Sequence, residues 1–104
     1  MKIGVPMFKN RVSPHFSTAS ELLFVLTKGK IIYFIAKIDF SSLSPEDRRR
    51  RLLTLGIDTL ICDGIDKATK IWATQKGILV RENTTGEAWE AINSFLNEEC
   101  DDDF

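Results

Sequence analysis

The stretch from Ile57 to Arg81 constrains the fold more than any other part of the chain. Ile57 to Cys62 (IDTLIC) is short, apolar and β-branched, and reads as a buried strand. Asp63-Gly64 turns the chain. Asp66 is placed to cap a helix running through Lys76, with Ala68, Ile71 and Trp72 on one face and Gly77 just past its end. Ile78 to Arg81 is a second short strand. A strand–helix–strand unit of this length implies parallel pairing with a right-handed crossover. The chain must therefore build an α/β sheet with helices packed on it.

The preceding half reads mainly as strands. Ile3 to Val5 is a short strand closed by Pro6. Met7 to Ser20 contains Asn10, Ser13, Pro14, Ser17 and Ser20 and reads as loop. Glu21 to Thr27 and Ile31 to Ile38 are apolar runs joined by Lys28-Gly29-Lys30, a hairpin signal. The hairpin makes the sheet mixed. Ile31 to Ile35 is apolar at successive positions, which predicts burial on both faces, or one buried face and one partly covered.

Ser44-Pro45-Glu46-Asp47 starts a helix: Ser44 caps, Pro45 suits the first helical position, and Asp47 completes a capping-box spacing. Leu52, Leu53 and Leu55 supply apolar contacts before Gly56. Thr84-x-x-Glu87 reads as another capping box, followed by Ala88, Ile92, Phe95 and Leu96 at helical spacing. The expected fold class is α/β, with a mixed sheet of five strands in the order β-β-β-α-β-α-β-α. Residues 1–97 form the expected domain and residues 98–104 an acidic C-terminal tail.

Composition fits this reading. The 104 residues suit a single domain, and 43% hydrophobic with 28% charged residues is ordinary for a globular chain. A net charge of −1 gives no general attraction to nucleic acid or anionic membrane. No apolar run approaches the roughly 20 residues of a membrane span, and Met1 to Pro6 lacks the basic start and long apolar stretch of a signal peptide. Cytoplasmic location with both thiols, Cys62 and Cys100, reduced is the expectation.

The loop Arg11-Val12-Ser13-Pro14-His15-Phe16-Ser17 holds the only histidine. It combines a rigid proline, the Ser13 hydroxyl and an imidazole that can ligate metal or accept a proton. The alternative is a surface loop in which Phe16 anchors into the core and His15 hydrogen-bonds locally. Ligands on open α/β sheets sit beyond the carboxyl ends of strands, where Cys62 is also placed. A thiolate there could take a soft metal or an iron–sulfur species; a buried free cysteine acting as a small hydrophobe is the competing reading. Asp63-Gly64-Ile65 could offer backbone N–H groups to an anion ahead of the helix. Arg48 to Arg51 fan around a helix and read as a solvated surface, with an acidic partner or nucleic acid as the sharper alternative.

No enzyme constellation emerges. The sequence has no G-x-S-x-G, no G-x-x-x-x-G-K, no G-x-G-x-x-G and no C-x-x-C. The first strand carries no carboxylate of the kind a two-metal nuclease clusters around its ions. The chain is not expected to be an enzyme.

Met1 to Pro6, Val12-Ser13-Pro14-His15-Phe16, Leu22 to Leu26, and Leu55-Gly56-Ile57-Asp58-Thr59-Leu60-Ile61-Cys62-Asp63-Gly64-Ile65 together resemble the dinitrogenase iron–molybdenum cofactor biosynthesis family. The likeness runs from about Met1 to Leu96. It implies a ribonuclease-H-like α/β fold without nuclease activity, and a carrier or accessory role in which some members bind iron–sulfur or iron–molybdenum cofactor precursors. On the match to its motif, His15 is the prime candidate ligand, and Cys62 matches a position where some members also carry Cys; the residues' own chemistry adds Ser13, Asp63 and Gly64 as expected supporting residues. The chain departs from the family pattern at Ser17, where a small residue, often Gly, is common, and at Asp63, where a second Gly is common. Asp39 to Ser44 also lacks the family's Gly/His-rich loop. The expected function is a non-enzymatic carrier of a metallocluster or its precursor, working with a cluster-transfer protein and open to homo-oligomerisation. A metal-free structural or regulatory interaction domain is the alternative.

Overall fold

A computed structural model describes residues 1–99 of the chain. The elements follow in the order β1 (Lys2–Phe8), β2 (Arg11–Val12), a 3₁₀ turn (Phe16–Thr18), β3 (Glu21–Lys28), β4 (Ile31–Asp39), α1 (Pro45–Thr54), β5 (Thr59–Ile61), α2 (Lys67–Gln75), β6 (Leu79–Arg81) and α3 (Ala88–Glu99). The sheet is mixed. Its strand order is β4-β3-β1-β5-β6, with β2 paired to β1. β1 runs antiparallel to β3 and parallel to β5, and β5 runs parallel to β6, as the strand–helix–strand pattern requires.

The helix starts are local and legible. The Ser44 hydroxyl accepts from the Asp47 amide at 3.1 Å, and the Asp66 carboxylate accepts from the Thr69 amide at 2.9 Å. α3 differs from expectation: the Glu87 carboxylate, and not Thr84, caps it by accepting from the Glu90 amide at 2.9 Å. Glu98 and Glu99 complete α3 instead of opening the tail, and Glu98 pairs with Arg81 at 2.7 Å. The rest of the expected tail, with Cys100, lies outside the described residues.

Six strands stand where five were expected. β2 hides in the presumed loop because its two-residue turn, Lys9-Asn10, carries φ values of 52° and 66° without a glycine to signal it. β1 also continues past Pro6 to Phe8. The Pro6 carbonyl accepts from the Ser13 amide, so Pro6 turns its backbone away from β3. β5 pairs with β1 only at Ile3 and Gly4, so the missing N–H costs no ladder bond.

Two cores lie on opposite faces of the sheet. On one, Ile3, Val5, Met7, Leu23, Val25 and Ile61 meet Ala88, Ile92, Phe95 and Leu96 of α3. On the other, Leu22, Phe24, Leu60 and Cys62 meet Phe16, Phe40, Leu52 of α1 and Ala73 of α2. The buried positions of α2 are Thr69 and Ala73, with Trp72 half-buried; Ile71, expected on that face, is exposed. Among the described residues no helix is long and apolar enough to cross a membrane.

Candidate functional site

The His15 loop and the Cys62–Asp66 loop meet beyond the carboxyl end of β5, alongside Pro6 of β1. The Phe16 amide donates to the Gly64 carbonyl at 2.8 Å, and the Gly64 amide donates to the Pro14 carbonyl at 2.8 Å. His15 and Gly64 thus form an isolated parallel bridge. The junction is close enough to require glycine. A Cβ on Gly64 would lie 2.5 Å from the Pro14 oxygen and 2.9 Å from His15 Nδ1. The segment after β6 joins the same junction, because the Asn83 amide donates to the Asp63 carbonyl and the Thr84 amide to the Cys62 carbonyl, both at 3.0 Å.

The His15 loop is braced from beneath. Ser13 is buried, and its hydroxyl donates to the His15 carbonyl at 2.9 Å. That carbonyl also accepts from the Thr18 hydroxyl at 3.4 Å. Phe16 is buried and meets Phe40 edge-on, with ring centroids 6.4 Å apart. Phe16 anchors into the core, as in the surface-loop alternative, and His15 is exposed, as are Arg11, Pro14 and Ser17 of the same loop. The fold therefore holds one imidazole outward on a fixed backbone.

The other expected site residues are placed differently. Cys62 is fully buried in the α1/α2-side core. Burial, then the Glu82 and Asp63 charges, push its thiol up to about 12, with Lys70 acting in the other direction. A thiol held neutral in this way is a poor ligand. The Gly64 amide is already bonded to the Pro14 carbonyl and is not offered to an anion. Asp63 is half-buried beside the junction. Among the described residues no three His, Cys, Asp or Glu side chains come together as a metal-binding group.

Sequence reading missed the role of Arg48. It is 5% exposed, not solvated. Its Nη1 donates to the carbonyls of Ala19 at 2.8 Å and Phe16 at 3.3 Å, and its Nε to Leu43 at 3.2 Å. Its guanidinium also lies over the Phe40 ring, 5.5 Å from the centroid, and desolvation lowers its pKa. One buried cation thus ties the turn after His15 to the loop before α1. The signal was present: Arg48 and Leu52 are four residues apart and share a helix face. The rest of the run is dispersed, with Arg49 on the Thr69 hydroxyl and Arg50 on Asp47. No arginine stripe forms.

No known family model matches the sequence, and no curated protein matches it. Solved structures do match in fold. The protein PH0822 superposes with a TM-score of 0.88 at 19% identity, covering 99% of this chain and 96% of its own. A candidate dinitrogenase from Methanocaldococcus jannaschii gives 0.78 at 17% identity, covering 95% and 90%. A candidate NifB protein from Thermotoga gives 0.74 at 17% identity, covering 94% and 88%. At these identities the likeness is one of fold, and this chain shares the architecture of those proteins along nearly its whole length.

Proposed function

We propose that this chain is a non-catalytic accessory protein of nitrogenase-related cofactor chemistry, carrying a metallocluster or its precursor as cargo at His15. The observation that carries the reading is the His15–Gly64 junction, where an exposed imidazole stands on a backbone fixed by two reciprocal 2.8 Å hydrogen bonds. The fold it shares with a candidate dinitrogenase and a candidate NifB protein supports the same theme. Cys62 is no longer assigned to the ligand set, because its thiol is buried and held neutral. A single protein ligand leaves the remaining coordination to the cargo's own sulfide or to a cluster-transfer partner. That suits a carrier, which must release what it holds.

Anaerobic reconstitution with iron, sulfide and molybdate, followed by metal analysis and absorption spectroscopy, tests the reading. Wild type is expected to retain a cluster, His15→Ala to lose most of it, and Cys62→Ser to retain it. Equal uptake by wild type and His15→Ala, or uptake by neither, overturns the proposal. The second reading, a metal-free interaction domain, is favoured by one observation: four large apolar side chains of β4 are exposed.

A further inference from the structure

A cavity of about 220 Å³ lies where the 3₁₀ turn meets the first turns of α1 and α2. Phe16 and Pro45 give it an apolar wall, and Arg48, Arg49 and Asp66 bring charge to it. It is smaller than the roughly 300–1,000 Å³ of a drug-sized pocket, so a guest has only a few heavy atoms.

The charges around the cavity do not cancel. Arg49 donates to the Thr69 hydroxyl at 3.3 Å, and its charge acts on Asp66. The Asp66 carboxylate accepts from the Thr69 amide and hydroxyl, both at 2.9 Å. Arg49 and Asp66 therefore offset one another. Arg48 has no such counterpart. It is 5% exposed, and no carboxylate among the described residues lies within ion-pair distance of it. Desolvation lowers its pKa, with no neighbouring acid set against that. Its Nε and Nη1 donate to the Leu43, Phe16 and Ala19 carbonyls. Carbonyl dipoles solvate a buried cation without cancelling its charge. Nη2 makes no hydrogen bond among the described residues. It is not sealed from solvent either, since the one sealed and unpaired side-chain atom among those residues is Thr27 Oγ1. The first turns of α1 and α2 add the positive ends of two helix dipoles at the same place.

We infer that this cavity binds a small monocarboxylate, whose oxygen accepts from Arg48 Nη2 and whose short aliphatic stem lies against Phe16 and Pro45. One uncompensated positive charge matches one negative charge. A dianion brings a second negative charge close to Asp66, with no cation left to offset it. The apolar wall favours a guest with a stem over a bare inorganic ion, which loses its hydration there without replacement. Arg49 stands on the same wall and strengthens the attraction, while Asp66 weakens it. The site goes beyond the cargo reading and does not use the imidazole of His15.

Titration of the nitrogen-15-labelled protein with sodium butyrate, against sodium chloride at the same ionic strength, tests the inference by NMR. Wild type is expected to show saturable shifts of the Ser17, Arg49 and Thr69 amides, with a Kd of roughly a millimolar for so small a guest. Arg48→Lys, verified as folded by circular dichroism, is expected to weaken binding about tenfold, because its ammonium is taken up by the three carbonyls. Two further variants leave Arg48 in place and shift only the charge balance. Arg49→Gln is expected to weaken binding about threefold, and Asp66→Asn, which keeps a capping side chain, to strengthen it about threefold. Shifts that chloride reproduces, or that do not saturate by roughly 100 mM butyrate, overturn the inference. So does tighter binding of inorganic phosphate than of butyrate, or binding that Arg49→Gln and Asp66→Asn do not move in opposite directions. His15→Ala is expected to bind butyrate as wild type does, which separates this site from the cargo reading.

Discussion

Gly64 shows how a single atom can set the geometry of the candidate site. Its φ is not in the left-handed region, so its requirement for glycine is steric: a methyl group would sit 2.5 Å from a backbone oxygen that cannot swing aside. Gly64→Ala is expected to destabilise the fold by about 2 kcal/mol. Urea denaturation measures that loss, and hydrogen exchange at Phe16 and Gly64 should report the parted loops. Arg48 works through hydrogen bonds rather than charge pairing. Arg48→Met is expected to cost about 2 kcal/mol, since it strands the buried Ala19 carbonyl and removes the Phe16 and Leu43 contacts. Arg48→Lys should restore only part of this, because an ammonium cannot span three carbonyls with a planar fork; urea midpoints of the two variants give the comparison.

At the scale of elements, α2 depends on the Asp66 cap. Partial burial works to raise the Asp66 carboxyl, but hydrogen bonds from the Thr69 amide and hydroxyl, with Arg49 nearby, leave it below its ordinary 3.8. A depressed folded pKa adds stability that is complete above the unfolded value and is lost as pH falls through the folded one. Wild type is therefore expected to keep its advantage over Asp66→Asn above the ordinary value of 3.8 and to lose it as pH falls below that, as read by urea unfolding at several pH values. Asp66→Ala, which removes the cap at every pH, should cost about 1 kcal/mol at neutral pH. The Ser44 and Asp66 caps were legible because capping is decided within three residues of sequence. The α3 cap was misread at Thr84, since Glu87 offered an acceptor at the same spacing to Glu90. β2 was missed because Lys9-Asn10 adopts a turn that sequence usually marks with glycine.

Across the whole molecule, the order β4-β3-β1-β5-β6 places β1, β3 and β5 inside and β4 at the rim. Amide exchange should follow this order. The amides of β1, β3 and β5 are expected to exchange only through global unfolding, while those of Ile35, Lys37 and Asp39 exchange fastest within the sheet in dilute solution. Exchange followed by mass spectrometry or NMR checks this order.

The sequence by itself determined the α/β class, the mixed sheet, the parallel unit around α2, two helix caps and the apolar face of α3. Each of these rests on periodicity or on contacts a few residues apart. It also pointed to the His15 loop, because a lone imidazole between Pro14 and Phe16 is visible without any fold. Only the tertiary structure decided that Cys62 faces the core, that Arg48 is a buried tie, that β1 can run through Pro6, and that β4 is an edge. Those outcomes depend on which distant strand or loop lies alongside. An apolar run reads the same whether a neighbour covers it or not, and a cysteine at a strand end reads the same whether the chain turns it in or out.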